Sequence, residues 1–543
     1  MPYIDDVFPA DKSSLCYDPD GTVPEFVASV TSWKRPSQWT RTPSLFVDST
    51  NPGDVEQGQL GDCWWLSALT VVSVIPDVLQ RLFVEANEAE GRYTVRFYYQ
   101  HEWKTVTIDD RIPCGKDGLP AFGHNTLKNE IWVCILEKAL AKLLGSYEAL
   151  DGGYLEEGVV MLTGGRPERL YVNNWSQNPG KQPWRKDRLW DKLVQYSTEN
   201  VLMGTGISSS RGQTTDESKG LVAGHAYAIL DVRETSDKKF KLIKLRNPWG
   251  QFEWKGPWSD ASRNWTFQYR KEMGADTKDD GIFWMEFKDF CTYYDKITCC
   301  RLLNDSIFSF PMESKLKANL KNNLTFPYAN WNRKRVEGAW DNECAGGMMN
   351  NMAFAKNPHF RLTVQKSGRF FLIIYRPYLS QDADAQYYRS GIGFAVYKGT
   401  DSNYKILPTD NSPNALLQYP VYARYNSIEL DLDQGEYVIT PCTMYSNRKG
   451  EFRFEVFSPN TFDIQPLEDN LRVGLCSSRG SRPTDDAPKM NSSITIGKNM
   501  ISTSQQPLAR SGKNLNTTPQ PTKQPGSNMM TTYQFEFAQR NKF

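Results

Sequence analysis

Apolar residues recur at mixed three- and four-residue intervals from Cys63 through Trp64, Leu66, Leu69, Val72 and Ile75, until Pro76 interrupts the run. The spacing predicts a helix that begins at Cys63 and is stopped by Pro76. The period then drops to two, with Tyr93, Val95, Phe97 and Tyr99 alternating against their neighbours and Val106 and Ile108 continuing after a break, which predicts a two-stranded hairpin over 93–109. Helical spacing returns over 130–143, where Ile131, Leu136 and Leu140 share a face. After Thr163-Gly164-Gly165, a glycine pair able to take backbone angles closed to other residues, strands are predicted at 226–232 and 240–245. From about 308 to 460 short alternating runs, such as Phe360-Leu362-Val364, 370–375, 393–397 and 437–440, are separated by turn-rich text, the pattern of a β-sandwich.

The two ends differ from this middle. Up to about residue 55 the chain is punctuated by Pro and Ser, so little regular structure is expected there. The stretch 477–532 is rich in Ser, Asn, Thr, Pro and Lys and holds too little apolar surface to offset the cost of ordering. The organisation expected is therefore an extended segment over 1–40, a lobe over 41–163 containing Cys63, a second lobe over 165–305, the sandwich over 308–460 and a mostly disordered tail over 461–543. A length of 543 residues agrees with several units, because single cores stop growing near 250–300 residues.

Charge and cysteine usage narrow the class. With 64 Lys+Arg against 63 Asp+Glu the net charge is +1, which gives no electrostatic footprint for nucleic acid or an anionic membrane. The first residues lack the basic and apolar regions of a signal peptide, and no run reaches the ~18 apolar residues of a membrane span, so a cytoplasmic protein without a transmembrane segment is expected. Ten scattered cysteines, with no CxxC pair near histidines, argue against disulfides and structural zinc.

A cysteine nucleophile needs a favoured thiolate, a base, a group that orients the base, and donors for the oxyanion. Cys63 at a helix start gains from the positive end of the macrodipole. Of the four histidines, His101 lies in the hairpin, His124 in a loop and His359 in the sandwich region, which leaves His225 at the opening of a strand. Asn247 follows the next strand, 22 positions on, with Pro248 restricting the backbone and Trp249 able to shield a polar pair from water. Gln57, six residues before Cys63, can offer its side-chain amide beside the Cys63 backbone N–H as an oxyanion hole. Singly, Cys63 reads as a small buried hydrophobe, His225 as a core histidine and Asn247 as a turn-former; together and in this order they read as a catalytic set. Cys299-Cys300 reads as strand packing.

Gln57-Gly58-Gln59-Leu60-Gly61-Asp62-Cys63-Trp64, then Gly224-His225-Ala226-Tyr227, then Arg246-Asn247-Pro248-Trp249-Gly250, resemble the calpain family of cysteine proteases. Phe8-Pro9-Ala10-Asp11 with Ser13-Ser14-Leu15, Trp33-Lys34-Arg35-Pro36, Ala345-Gly346-Gly347 and Gly435-Glu436-Tyr437-Val438 extend the likeness over about 3–460. The resemblance implies an α+β, papain-like, two-lobed protease core followed by an all-β, C2-like sandwich, and calcium-dependent limited proteolysis of protein substrates. It implies a first calcium site from the carbonyls of Val47 and Ser49 with Asp54 and Glu130, and a second from Glu253, Asp260 and Asp280 with a carbonyl near Lys278, hard oxygen ligands suited to calcium. Ile282 stands where relatives have glutamate and Pro52 where the family often has its arginine partner, so weaker coupling between the two sites is expected. Gly153 and Gly224 match positions whose backbone holds an extended peptide. The segment 381–388 carries only Asp382 and Asp384 where calpains often have an acidic loop. No EF-hand run follows the sandwich, so an EF-hand small subunit is not expected, while phospholipid contact through the sandwich stays open. Two other classes remain open: a calcium- or phospholipid-responsive scaffold with a vestigial core, and an acyl transferase on the same thiol chemistry, separable by product mass.

Overall fold

The computed structural model describes residues 1–467, except 48, 49, 76, 173–184, 209–216, 304, 311–327, 329, 349, 350, 352, 378–389, 400–414 and 422. Ser49, Pro76, the segment 381–388 and the tail expected over 477–532 lie outside the described residues.

The helix at Cys63 runs Cys63–Ser73 and ends at Val74, ahead of the stop expected at Pro76, because the approach to a proline disfavours helical backbone. Every residue from Trp64 to Ser73 is buried. A helix apolar all round must be covered on several sides, and this one packs on the helix Leu155–Thr163 and on the strand His225–Glu234. Ser67 Oγ donates to Ala226 O at 2.9 Å, so the two parts touch by a polar bond as well as by packing.

The hairpin is Arg92–Tyr99 paired with Glu102–Asp109, as its alternation predicts, with Phe83–Asn87 as a third strand. The helix Trp132–Leu144 packs on this sheet and ends at Gly145 (φ 111°). Its Lys138 is fully buried and donates at 2.5 Å to Asp109 and at 2.7 Å to Arg111 O. Asp109 also accepts from Asp5 N (2.9 Å), and Lys142 reaches Asp5 at 2.7 Å. These contacts tie the N-terminal segment to the body, where Ser32–Lys34 pairs with Ile112–Cys114.

Six antiparallel strands form the next sheet, in the order Ile282–Glu286, Lys241–Arg246, His225–Glu234, Leu202–Ile207, Lys296–Arg301, Arg166–Tyr171. The two predicted strands are its second and third members. Cys299 and Cys300 are buried within Lys296–Arg301, as read from sequence.

The all-β part holds a four-stranded sheet (Asn332–Trp340, Gly450–Ser458, Gly368–Tyr375, Tyr425–Leu432) and a five-stranded sheet (Ala415–Val421, Ile392–Lys398, Gly435–Thr443, Phe360–Val364, Phe462–Pro466). The last strand lies beyond the expected boundary at 460, because Phe462–Pro466 pairs with Phe360–Val364. Alternation along Gly368–Tyr375 places Phe370, Leu372 and Ile374 in the sandwich core, while Phe371, Ile373 and Tyr375 pack into the core of the six-stranded sheet. A strand buried on both faces thus joins the two bodies.

Among the described residues eight cysteines are free, whereas Cys344 is disulfide-bonded, against the expectation of no disulfides. Among the described residues no helix is long and apolar enough to cross a membrane.

Candidate active site

Cys63 is the first residue of its helix, and Asp62 before it (φ −102°, ψ 29°) starts the hydrogen-bond ladder, its carbonyl accepting from Trp65 N (2.8 Å) and Leu66 N (3.1 Å). The neighbouring wall is fixed by Trp64 Nε1 donating to Leu150 O (2.8 Å) and Gly152 N donating to Gly61 O (3.0 Å). A Cβ on Gly153 would lie inside the indole of Trp64. Close packing therefore already requires glycine at a position the sequence assigned to peptide binding.

On the six-stranded sheet, His225 opens its strand and is buried. Its Nε2 bonds Asn247 Oδ1 at 2.8 Å. The Asn247 amide donates to Gln251 O (3.0 Å) and Phe252 O (3.1 Å), which fixes Oδ1 as the atom facing the imidazole. An acceptor there holds the proton on Nε2 and leaves Nδ1 as the basic nitrogen. Trp249 N donates to the same Oδ1 (3.1 Å), and the Trp249 ring lies 4.6 Å from the imidazole, centroid to centroid, shielding the pair.

Gly224 is held at φ 67°, with its N–H on Ile207 O at 2.8 Å. Left-handed backbone is the reason for glycine here. Gly224→Ala is expected to cost about 1–2 kcal/mol of stability, checked by urea denaturation, and to misplace the adjacent His225.

Gln57 sits between the two parts, its backbone N–H on Pro248 O (3.1 Å). Its side-chain Nε2 donates to Leu60 O (2.9 Å), which engages one amide hydrogen and leaves the second for an oxyanion. Arg246, which the sequence reading passed over, is buried and donates to Val55 O (2.7 Å) and Gly53 O (3.2 Å), binding the loop around Asp54 to the strand that precedes Asn247. Its place beside Asn247 was the only signal in the sequence.

Burial pushes the Cys63 thiol up to about 12, with the charges of Asp62 and Asp151 acting in the same direction. Burial lowers His225 to about 4, partly offset by its bond to Asn247. No hydrogen bond joins Cys63 to His225 among the described residues. In this arrangement burial opposes the thiolate that the helix end favours, and it disfavours the charged imidazole as well.

The cysteine, the oriented histidine and the amide donor are the parts of a thiol protease. The family model described as calpain family cysteine protease matches residues 3–301, and that described as calpain large subunit, domain III, matches residues 336–457. The chain belongs to the calpain family. It is 36% identical over 491 residues to the calpain-type cysteine protease DEK1 of Zea mays, covering 86% of this chain and 21% of that protein. It is 31% identical over 490 residues to Calpain-5 of Mus musculus (84% of this chain, 72% of the relative) and 32% identical over 506 residues to the Calpain-1 catalytic subunit of Rattus norvegicus (87% and 66%). The chain thus spans about a fifth of the length of the plant relatives it matches and about two thirds of the rodent ones. The protease core is followed by calpain domain III, here a β-sandwich.

The residues that calpain resemblance assigns to calcium fall in two places. In the first, Glu130 is buried and accepts from Val47 N (3.0 Å) and Asn125 Nδ2 (3.0 Å), and Asp54 accepts from Asn51 N (2.8 Å) and Nδ2 (2.7 Å). Burial, then the charge of Asp54, lifts the Glu130 carboxyl to about 7. In the second, Glu253 Oε1 accepts from Asp280 N (3.1 Å) and Gly281 N (2.9 Å), and Lys278 N donates to Asp276 (3.3 Å). Burial and then Asp260 lift Glu253 to about 7, and burial followed by Asp276 and Asp280 lifts Asp260 to about 6. Asp260 Oδ2 is buried without a partner. Ile282 pairs with Arg246 across the sheet, and Pro52 opens the short turn Pro52–Asp54. Among the described residues no three His, Cys, Asp or Glu side chains converge into a closed cage. Crowded carboxylates with an orphaned oxygen nonetheless fit a hard divalent cation, which would remove their mutual repulsion.

Proposed function

We propose that the chain is a calcium-dependent cysteine endopeptidase that cuts proteins at a few exposed sites. The observation that carries this reading is the bond of His225 to Asn247 Oδ1 under Trp249, which holds a neutral imidazole with Nδ1 as its base. Nδ1 takes the proton of the Cys63 thiol, and the thiolate attacks a peptide carbonyl. The Cys63 N–H and the second amide hydrogen of Gln57 hold the oxyanion, and His225 returns the proton to the leaving amine. Water, activated by the same nitrogen, releases the acyl group. Gly153 and Gly224 keep the walls free of side chains for an extended peptide.

Calcium would be held by Val47, Ser49, Asp54 and Glu130, and by Glu253, Asp260 and Asp280, where it supplies positive charge to buried carboxylates. Arg246 couples the first of these loops to the strand leading to Asn247. Burial disfavours the charged forms of both Cys63 and His225, which suits an enzyme that needs an activating ion more than one that is always on. A cytoplasmic setting suits the eight free thiols among the described residues.

The test is casein incubated with the purified chain over a wide calcium range and with a chelator, with fragments and Cys63 labelling followed by mass spectrometry. Calcium-dependent cleavage to a few large fragments is expected, and activity of the single chain would show that no small subunit is required. Equal cleavage with chelator would remove calcium from the account. No cleavage at any calcium level would favour the scaffold reading.

A further inference from the structure

The charge next to the nucleophile is not spent as a helix cap would spend it. Asp62 precedes the helix, yet its side chain makes no bond to the helix N–H groups. It is fully buried, and no N–H group of another residue reaches either carboxylate oxygen. The group that faces it within hydrogen-bond range is the carboxyl of Glu137, itself buried, on the helix Trp132–Leu144. Two carboxylates are both acceptors, so they bond only through a proton kept by one of them, and two buried negative charges in contact would repel strongly.

We propose that Asp62 and Glu137 share one proton and act as a positioning pair for Cys63, with Glu137 the donor and Asp62 the acceptor. The proposal rests on the reading of Cys63 as nucleophile. Glu137 Oε1 accepts from Gly123 N at 2.7 Å, so its other oxygen carries the proton toward Asp62. Gln59 N donates to Ala121 O at 2.9 Å, and a Cβ on Gly58 would run into the backbone of Ala121 and Phe122, so the segment 121–123 supports the loop on the other side of the nucleophile as well.

The consequence falls on the peptide between Asp62 and Cys63. Its carbonyl is held by Trp65 N and Leu66 N, and its side-chain end by Glu137. That peptide supplies the Cys63 N–H, the proposed oxyanion donor, so its orientation sets the hole. Burial and the neighbouring Asp62 charge raise Glu137 well above the usual carboxyl range, which agrees with Glu137 as proton holder. The other titratable groups around the pair are Asp151 and Cys63 beside Asp62, and Cys134 and Tyr147 beside Glu137.

The test compares Glu137→Leu with Glu137→Gln on a peptide substrate with calcium present, measuring kcat and KM from pH 5.5 to 9.5, with thermal melts alongside. Leucine removes the donor and is expected to lower kcat about 10- to 100-fold, with KM within about twofold. Glutamine keeps an N–H donor toward Asp62 and is expected to restore kcat to within about threefold. It should also hold its rate at high pH, where the wild-type enzyme falls as the shared proton leaves. If Glu137→Leu does not fold, the alkaline limb of Glu137→Gln decides alone. Equal activity of both variants, or a Gln profile that falls with the wild type, overturns the pairing. Full activity of Cys63→Ala would instead overturn the parent reading.

Discussion

Cys63→Ala is expected to lower kcat on casein by at least about 10⁴-fold while leaving the unfolding transition in place. Alanine is the best helix former, and the position keeps some exposure, so the helix Cys63–Ser73 should form without the sulfur. His225→Ala should cost a comparable amount, since base and nucleophile act as one unit and their losses do not add. Asn247→Ala should cost less turnover, because it orients the ring and does not react. It should, however, loosen the 247–252 loop, whose carbonyls at Gln251 and Phe252 would lose their donor. The charge states give a second readout. With the thiol near 12 and the imidazole near 4, thiolate is scarce at pH 7, so alkylation of Cys63 by iodoacetamide in chelator should be slow and rise steadily with pH. If calcium brings Nδ1 to the sulfur, imidazolium stabilises thiolate and the profile should move to lower pH. Identical profiles with and without calcium would separate calcium from the assembly of this site.

How much of this was legible in the sequence differs by residue. The hairpin, the helix Trp132–Leu144 and the sandwich strands follow from local period, and local period is visible along a chain. His225 and Asn247 were legible because each occupies the end of a strand in a short motif, and neighbouring strands bring such ends together. At Cys63 the dipole of its helix is a local property and legible, whereas the burial that opposes it depends on packing across the fold. Asp62 stood in the motif, but its partner Glu137 is 75 positions away on another helix, and Arg246 reaches Val55 over 191 positions. Gly153 was assigned to substrate, although its contact with Trp64 already demands glycine. His101 illustrates the same limit: at the tip of the hairpin, it bonds Arg376 O at 3.1 Å and packs on Tyr375, which joins the first sheet to the sandwich.

The junction between protease core and sandwich yields the second large effect, Glu455→Ala, expected to destabilise the fold by about 3–5 kcal/mol because it strands buried cations. Glu455 is fully buried on Gly450–Ser458 and accepts from Arg166 Nε (2.7 Å), Arg333 Nε (3.1 Å) and Tyr375 OH (3.0 Å). Asp305 closes the network, receiving Arg166 at 2.7 Å and Arg333 at 2.8 Å. Burial alone would raise the Glu455 carboxyl, but the Arg166 and Arg333 guanidiniums overcome this and hold it well below the ordinary range. A carboxyl depressed in the folded state contributes stability that is fully present above its unfolded value, about 4.3, and is lost as pH falls through the folded one. Wild type and Glu455→Gln should therefore differ most above about pH 5 in urea denaturation, and the gap should narrow as the solution is made more acid. A gap that is small at pH 7, or that widens in acid, would contradict the network. Arg166 directly follows Gly164-Gly165, and its guanidinium also donates to Gly164 O, so this glycine pair, at the boundary between the two lobes expected from sequence, is anchored to the sandwich through Glu455. Motion at those glycines cannot be independent of the β-sandwich while this network is intact.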